Sequence, residues 1–344
     1  MTELQIRREV SKLINSIKKL NKQTLVFILL MIPFSIIIPM VTNNYSMGVM
    51  NLVMLHFIAA LGVTMMLGMG GQVTFATVAF LGAGSYTSAI LSKNFGIPPV
   101  LSVILAVLFC MVSAFILGKV LFRLKGTYFT FATIGFAQIM NNVYLNWKPV
   151  TGGPDGITGI PKLNLFFFTP TKPIHWFYIL VVLSAICLML VEHVRQTSLG
   201  RSLGAVRDNE IAALSLGVDV YNTKVNAFVI AGALAGFAGA LLAHHNSAIS
   251  AYLYTYDLTV NYIVIVMLGG INSTIGTFIG SLLVTMLPEW LRPLQTYMRL
   301  IYGVFVILLM IFMPMGLAGM WNILHAKMKN MFRKSKGKAV EQNV

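Results

Sequence analysis

The chain has 344 residues, of which 57% are hydrophobic and only 10% are charged, and its mean hydropathy is +0.80. A soluble domain carries about 25% charged residues, so this composition excludes a soluble globular protein. Apolar runs of about 17–25 residues, the length that crosses a hydrocarbon core as a helix, recur along the chain. The sequence therefore predicts an all-α polytopic membrane protein.

Residues 1–24 form a basic segment ahead of the first predicted span. Apolar residues on one helical face of this segment predict an amphipathic helix at the membrane surface. A second basic tail covers 321–344. Lys and Arg in excess beside membrane spans are typical of cytoplasmic tails that contact anionic lipid. The net charge of +15 is therefore assigned to membrane lipid, and no nucleic-acid partner is expected.

Ten apolar runs together make one predicted transmembrane domain over 25–320. The predicted spans are 25–41, 48–69, 72–92, 98–118, 127–147, 174–194, 222–245, 258–270, 276–289 and 299–320. An even number of spans places both basic tails on the same side, together with 195–221, and leaves 148–173 on the other. Because Lys and Arg mark the cytoplasmic side, both termini are predicted to be cytoplasmic and 148–173 external.

Glycines mark two regions of the predicted spans. Gly232-x-x-x-Gly236 and Gly276-x-x-x-Gly280 predict close helix packing. Gly269-Gly270 and Asn272-Ser273 divide the run 258–289 into two short pieces, which is typical of a transport pathway or a tightly packed hairpin.

Catalytic chemistry is scarce in this sequence. The acidic residues lie away from the middle of the spans, which disfavours a proton-coupled transporter. The chain has no Walker-type phosphate loop, and Cys110 and Cys187 fall inside apolar runs. His244 and His245 are adjacent, so they point to different helix faces and do not predict a metal site. We therefore expect a non-catalytic chain without a cofactor of its own.

The fifth span is polar for its depth. Thr127, Thr130, Gln138 and Asn141 share a broad helical face, and Gln72, Thr74 and Thr77 add neutral polar groups at the start of the third span. Such a face suits a passage for a polar solute, but hydrogen bonding between helices accounts for it equally well. His56, deep in the second span, is either a functional residue or a neutral imidazole hydrogen-bonded to a neighbouring helix.

The cytoplasmic segment 195–221 contains a predicted short helix. Asp208 or Asn209 can cap it, Glu210 suits its first turn, and Gly217 can end it. An amphipathic helix flanked by Arg201 and Arg207 on the cytoplasmic face predicts a docking surface.

This stretch resembles the coupling loop of LivM-type permeases, from ABC importers of branched-chain amino acids. Their usual form is Gly-Arg-Ala-Leu-x-Ala-Ile-Arg-x-x-Glu-x-Ala-Ala-x-x-x-Gly, which residues 200–217 follow. Further matches occur in the family's order, from about 58 to 320. They are Leu61-Gly62 through Gln72, Arg123 through Phe129, Thr151-Gly152-Gly153 with Gly156, Leu268-Gly269-Gly270, and Pro314-x-Gly316-Leu317.

Several positions depart from the family pattern. Thr74-Phe75-Ala76-Thr77 stands where the family often has Ser-Leu-Gly-His. Gln138 and Asn261 replace positions that are frequently acidic, so Asn261 joins the candidates for the substrate pathway. Ile211 occupies the Glu position of the general importer motif, and Glu210 precedes it.

The resemblance implies the permease subunit of an ATP-driven ABC importer in a bacterial cytoplasmic membrane, with the ten-helix, type II-like fold. The implied partners are a homologous second permease, two cytoplasmic ATPases that carry ATP and magnesium, and an extracytoplasmic binding protein. The residues expected to couple to the ATPases are Arg201, Arg207, Asp208, Glu210, Ala212, Ala213 and Gly217.

The expected solute is a branched-chain or other neutral amino acid. A urea or short-amide importer on the same scaffold is the nearest alternative. A self-contained carrier or channel, and a membrane enzyme, are the others.

Overall fold

The computed structural model describes residues 22–124, 126–164, 169–292, 297–312, 316, 317 and 319. The predicted surface helix before residue 22 and the tail 321–344 lie outside the described residues. The described part is almost entirely helical, and its one strand pair has two residues in each strand.

Ten helices in the described residues are at least 14 residues long, and each lies on one predicted span. They are α1 (Lys22–Val41), α2 (Asn44–Val63), α3 (Thr77–Lys93), α4 (Pro99–Leu121), α5 (Thr127–Asn146), α7 (Pro173–Gln196), α10 (Val220–Asn246), α11 (Tyr256–Gly269), α12 (Thr274–Trp290) and α13 (Met298–Phe312). The shorter helices are α6 (Lys148–Thr151), α8 (Ser198–Asp208) and α9 (Glu210–Ser215).

Five helical stretches in the described part are long and apolar enough to cross a membrane. They are Asn44–Met69, Pro99–Leu121, Pro173–Gln196, Val220–Asn246 and Ala251–Gly269. α5 is long enough but falls outside this group, because threonine, glutamine and asparagine side chains interrupt its apolar sequence. The structure thus supports a polytopic membrane protein, while the count of ten spans stays a prediction.

The third span begins five residues later than the sequence predicts. α2 continues as a π-helix over Thr64–Met69, and residues 70–76 that follow are not α-helical. Gly71 has a φ of +64°, a conformation that glycine adopts without the steric cost other residues carry. The chain therefore turns here, and α3 starts at Thr77.

Close helix packing builds the core around α10. This helix lies against α2, α3 and α4, and glycines set the distance between backbones. A Cβ at Gly84 would overlap the backbone of Gly236, and one at Gly239 would overlap the carbonyl oxygen of Leu81. The close packing predicted for Gly232-x-x-x-Gly236 is confirmed, because Gly236 leaves room for the side chain of Cys110.

α11 and α12 form a tightly packed hairpin, which is one of the two structures that the glycine-divided run 258–289 predicts. Gly269 lies against the backbone of Gly276, and Gly280 against the carbonyl oxygen of Ile265. Their turn occupies 270–273, with Ser273 capping α12 through a 3.0 Å hydrogen bond from the Gly276 amide. Because the two helices pack so closely, the turn that joins them is short and compact.

Residues 148–164 fold onto the chain that follows α10. Strand β1 (Ile157–Thr158) pairs antiparallel with β2 (Ala248–Ile249), with Ile157 opposite Ile249. The Ser250 hydroxyl donates to the Pro154 carbonyl at 3.2 Å, and the Ile160 amide donates to the Ser247 carbonyl at 3.0 Å. Residues 148–164, which belong to the predicted external segment 148–173, therefore form an ordered layer across one end of the helices.

Candidate coupling segment and translocation path

The segment between α7 and α10 consists of two helices separated by one extended residue. Asn209, with φ −160° and ψ 109°, breaks α8 from α9. Its side-chain oxygen accepts hydrogen bonds from the amides of Ile211 and Ala212, both at 3.0 Å. Asn209, rather than Asp208, is therefore the N-cap of the predicted short helix.

Gly217 ends this helix as the sequence predicts. Its φ of +80° lies in the left-handed region, and the Val218 amide bonds back to the Ala213 carbonyl at 3.0 Å. This arrangement is a common helix C-terminus, and it returns the chain to the start of α10.

One face of the segment packs on the helical bundle. Ala213 is buried with Val206 and Val220 in a small apolar cluster, and Leu203 is buried against the main core. Ala213 therefore stabilises the segment from within, which differs from the expected role in contacting an ATPase. Ala212, on the other side of α9, is exposed.

Three large apolar side chains of this segment point away from the helical bundle. Ile211 is 81% exposed, Leu214 63% and Leu216 82%. The sequence alone assigns none of them a role in docking, although apolar residues among the charges of a short helix between two predicted spans are the available signal. Exposed apolar side chains grouped on a segment outside the membrane helices are typical of a protein–protein contact.

The charged residues of the segment divide into two groups. Arg201 and Glu210 are exposed, and Glu210 pairs with Lys224 at 2.7 Å. Arg207 instead turns toward the membrane helices, where its Nη1 donates to the Gly68 carbonyl at 2.9 Å and to Asn272 Oδ1 at 2.8 Å. Asp208 holds the rest of the Arg207 guanidinium.

Asp219 fixes the end of the segment at α10. It accepts a hydrogen bond from the Asn222 amide at 3.0 Å and one from the Asn222 side chain at 2.6 Å. These bonds favour the ionised carboxylate, the backbone bond most, and so lower the pKa of Asp219.

Several of the polar side chains of α5 bind neighbouring backbone. Thr133 Oγ1 accepts from the Phe75 amide at 3.1 Å, and the Thr130 hydroxyl donates to the Val73 carbonyl at 3.3 Å. Asn141 donates to the carbonyls of Ala251 and Tyr254 at 3.3 and 2.9 Å. These contacts favour the packing alternative for Thr130 and Asn141.

The outer face of α5 keeps other polar groups free of such partners. Gln138 and Asn142 are exposed, as is Thr127 near the start of the helix. Asn142 and Asn146 line an open groove of about 600 Å³, together with Ile139, Val143 and Trp147. Of the four residues of the predicted polar face, Thr130 and Asn141 therefore take part in packing and Thr127 and Gln138 are exposed, while none of the four lines this groove.

Of the remaining pathway candidates, Gln72 and Thr74 lie within the non-helical residues 70–76, Thr77 begins α3, and Asn261 lies on α11. Thr74 and Thr77 are buried, and Gln72 and Asn261 are half-buried. Thr74 Oγ1 accepts from the Ala76 amide at 3.3 Å, a local turn contact. The structure brings Thr74 near Thr130 through residues 73–75, whereas Asn141 contacts the chain at 251–254.

The histidines make hydrogen bonds between helices. His56 Nδ1 lies 3.1 Å from Thr285 Oγ1 on α12, which is the packing alternative for this residue. His244 lies between Ser88 Oγ at 2.8 Å and the Pro161 carbonyl at 2.7 Å. No group of three potential metal ligands occurs among the described residues.

Glu192 is a buried acid whose environment the sequence did not reveal. It is 1% exposed near the end of α7, where it accepts from the Thr274 hydroxyl at 2.8 Å and pairs with Arg195 at 3.3 Å. In the sequence, only Arg195, three residues later, indicates that Glu192 has an ion-pair partner. This contact ties α7 to the beginning of α12.

A largely helical chain with several helices long and apolar enough to cross a membrane fits the class of membrane transport proteins. The family model for the permease component of branched-chain amino acid transport systems matches residues 45–314. The chain belongs to this family, so the predicted LivM-type permease is confirmed.

Similar proteins agree with this assignment. The high-affinity branched-chain amino acid transport permease LivM of Salmonella typhimurium is 30% identical over 317 residues, which is 86% of this chain and 75% of LivM. LivM of Escherichia coli gives the same identity and coverage. The ribose import permease RbsC of Bacillus subtilis is 27% identical over 270 residues, 74% of this chain and 80% of RbsC. No solved structure gives a significant match.

The chain is therefore a multi-pass permease subunit of an ABC importer in the inner membrane. Subunits of this family work with ATPases and a binding protein.

Proposed function

We propose that this permease carries branched-chain or other small neutral amino acids, which an extracytoplasmic binding protein delivers. ATP binding by separate ATPase subunits drives the transport. The observation that carries the mechanism is the exposed apolar group Ile211, Leu214 and Leu216 on a segment between two membrane helices. The amino-acid solute rests on the family and on the 30% identical relatives.

The α8–α9 segment is the docking site for the ATPases in this proposal. The three apolar side chains enter a groove on an ATPase, while Arg201, Asp208 and Glu210 border the contact. Ala212 and the turn at Gly217 keep the helix slim enough for close approach. ATP and magnesium belong to the ATPases, and the permease itself catalyses no reaction.

The outer face of α5 meets a second, homologous permease. The contrast with α4 supports this choice, because the exposed residues of α4, apart from Lys119 near its end, are apolar and suit lipid. They include Leu101, Ile104, Leu108, Phe109, Val112, Phe115, Ile116 and Val120. On α5 the exposed positions include Gln138, Asn142 and Asn146, and amide groups facing hydrocarbon are costly. Covered by a second permease, the groove becomes part of a path for a polar solute.

Adjacent asparagines on α5 give a matched test of this path. Asn141→Leu is expected to cost about 1–2 kcal/mol of stability, because two backbone carbonyls lose a donor. Asn142→Leu is expected to leave stability within about 0.5 kcal/mol, because Asn142 donates only within its own helix, yet to lower uptake. Thermal unfolding in detergent and uptake in proteoliposomes separate the two effects. The path assignment fails if Asn142→Leu transports normally.

The proposed topology has ten spans over 25–320, cytoplasmic segments at 1–24, 195–221 and 321–344, and an external layer at 148–173. Single cysteines at Ser215 and Asp155 test it, because both side chains are exposed. A membrane-impermeant maleimide added to intact cells is expected to label Asp155→Cys only. Both native cysteines are buried, and the parent chain measures their background. Labelling of Ser215→Cys from outside contradicts this map.

Reconstitution tests the function as a whole. Purified permeases, ATPases and binding protein are placed in proteoliposomes, and uptake of labelled leucine is measured with ATP inside. Competition by isoleucine and valine, but not by urea or ribose, is the expected result. Uptake by this permease without ATPases indicates a self-contained carrier, and urea uptake indicates the short-amide alternative.

A further inference from the structure

Arg207 joins three separate elements at the cytoplasmic end of the bundle. It belongs to α8, yet its Nη1 reaches the Gly68 carbonyl in the π-helix and Asn272 Oδ1 in the turn between α11 and α12. Asp208 binds Nε and Nη2 at 3.1 and 3.0 Å. The rigid guanidinium is thereby held in one orientation by partners on several sides.

Glycines bring α8 close to the end of the π-helix. A Cβ at Gly71 would lie 2.8 Å from Arg207 Cγ, and one at Gly70 would lie 3.3 Å from the Leu203 side chain. A Cβ at Gly68 would overlap the Ile271 carbonyl oxygen. α8 and the α11–α12 turn therefore both press on Gly68–Gly71, where the regular helix has already ended.

The chain beyond Gly71 continues these contacts toward the proposed path. Residues 72–76 run beside α5 and α11, held by Thr133 at the Phe75 amide and by Thr259, which donates to the Phe75 carbonyl at 3.4 Å. The Phe75 ring stacks on Tyr256 with 5.5 Å between ring centres. A displacement of Gly68–Gly71 must therefore move the segment 72–76 or break these bonds.

We propose that Arg207 is a positioning residue that transmits movement of the α8–α9 segment to residues 68–76, and through them to α5 and α11. The proposal rests on the function proposed above and replaces the expected contact between Arg207 and an ATPase. When an ATPase displaces α9, the two Nη1 hydrogen bonds make the π-helix and the α11–α12 turn follow. Without them α8 moves alone.

Removal of either end of the contact tests this role. Arg207→Gln and Asn272→Leu in the reconstituted importer are expected to keep the ATPases bound and basal hydrolysis within about twofold of wild type. Stimulation by loaded binding protein, and uptake, are expected to fall about tenfold, within the usual range of coupling between sites. The double variant is expected to be no worse than Arg207→Gln alone, because that substitution already removes the hydrogen bond that Asn272→Leu removes.

Lys119→Gln is the matched control. It removes one cation from an exposed position at the end of α4, where the side chain lies over Phe115 and not on the coupling segment. Wild-type coupling is expected. The proposal is overturned if Arg207→Gln releases the ATPases, which makes it a docking residue, or if its coupling is unchanged. Fully additive losses in the double variant also overturn it.

A second measurement does not depend on transport. Val73 is 37% exposed, so Val73→Cys in inside-out vesicles reports the mobility of the segment through its rate of maleimide labelling. Arg207→Gln is expected to raise this rate about fivefold, and Lys119→Gln to leave it unchanged. If wild-type proteoliposomes show no ATP-driven uptake but labelling responds, the proposed function fails and the positioning role stands. An unchanged labelling rate in Arg207→Gln refutes the positioning role.

Discussion

Ile211→Asp is expected to release the ATPases from the permease. Ile211 is 81% exposed, and as the first apolar residue of α9 it is a central anchor of the proposed contact. A carboxylate placed in an apolar groove loses water without gaining a partner. Loss of such an anchor costs about 2–3 kcal/mol, or about 30–150-fold in Kd. Copurification of ATPases with tagged permease, followed by titration in detergent, measures this loss.

Ile211→Leu is the control at the same position. It keeps an apolar side chain of similar volume and is expected to change the binding free energy by less than about 1.5 kcal/mol. Since the exposed side chain adds little to the permease's own core, neither variant should shift the unfolding temperature of the isolated permease. Retention of ATPases in Ile211→Asp would assign the docking site to another surface.

Gly239→Ala is expected to destabilise the permease by about 3 kcal/mol, at the upper end of the usual cost of overpacking. A methyl group here would overlap the Leu81 carbonyl oxygen and lie 2.9 Å from Ser85 Oγ. The Ser85 hydroxyl donates to the Gly239 carbonyl at 2.7 Å, so α3 and α10 must separate to admit it. Thermal unfolding and yield of the monodisperse complex measure the effect.

Gly48→Ala supplies a control with the opposite sign. Gly48 lies within α2, and nothing is within 4 Å of a Cβ placed there. Without a clash, alanine stabilises a helix by about 0.5–1 kcal/mol relative to glycine. A destabilised Gly48→Ala, or an unaffected Gly239→Ala, contradicts the packing described for α10.

The helices could be predicted from the sequence because length and apolarity are local properties. The cap and end of α9 followed for the same reason, since Asn209 and Gly217 act on amides and carbonyls a few residues away. The family was recognisable because its motifs occur in order. None of these inferences required knowledge of which helices are neighbours.

The directions of individual side chains were not predictable in this way. Arg207 reads as a surface cation, yet it binds backbone 139 residues earlier in the chain. Glu192 reads as a span-end acid, yet Thr274 on α12 buries it. The sequence places the non-helical residues 72–76 in a span because the partners of their backbone, Thr130, Thr133 and Thr259, lie far along the chain.

The strand pair β1–β2 has a consequence for how a soluble protein docks at that end of the bundle. The pair, with Ser250 and His244 bonded to Pro154 and Pro161, orders residues 154–161 before any partner arrives. Ordering a loop on association costs free energy for each side chain immobilised, and here folding has already met that cost. In the proposed topology this end faces the binding protein, which would therefore dock on a preformed surface, and each cycle of binding and release would leave residues 154–161 folded.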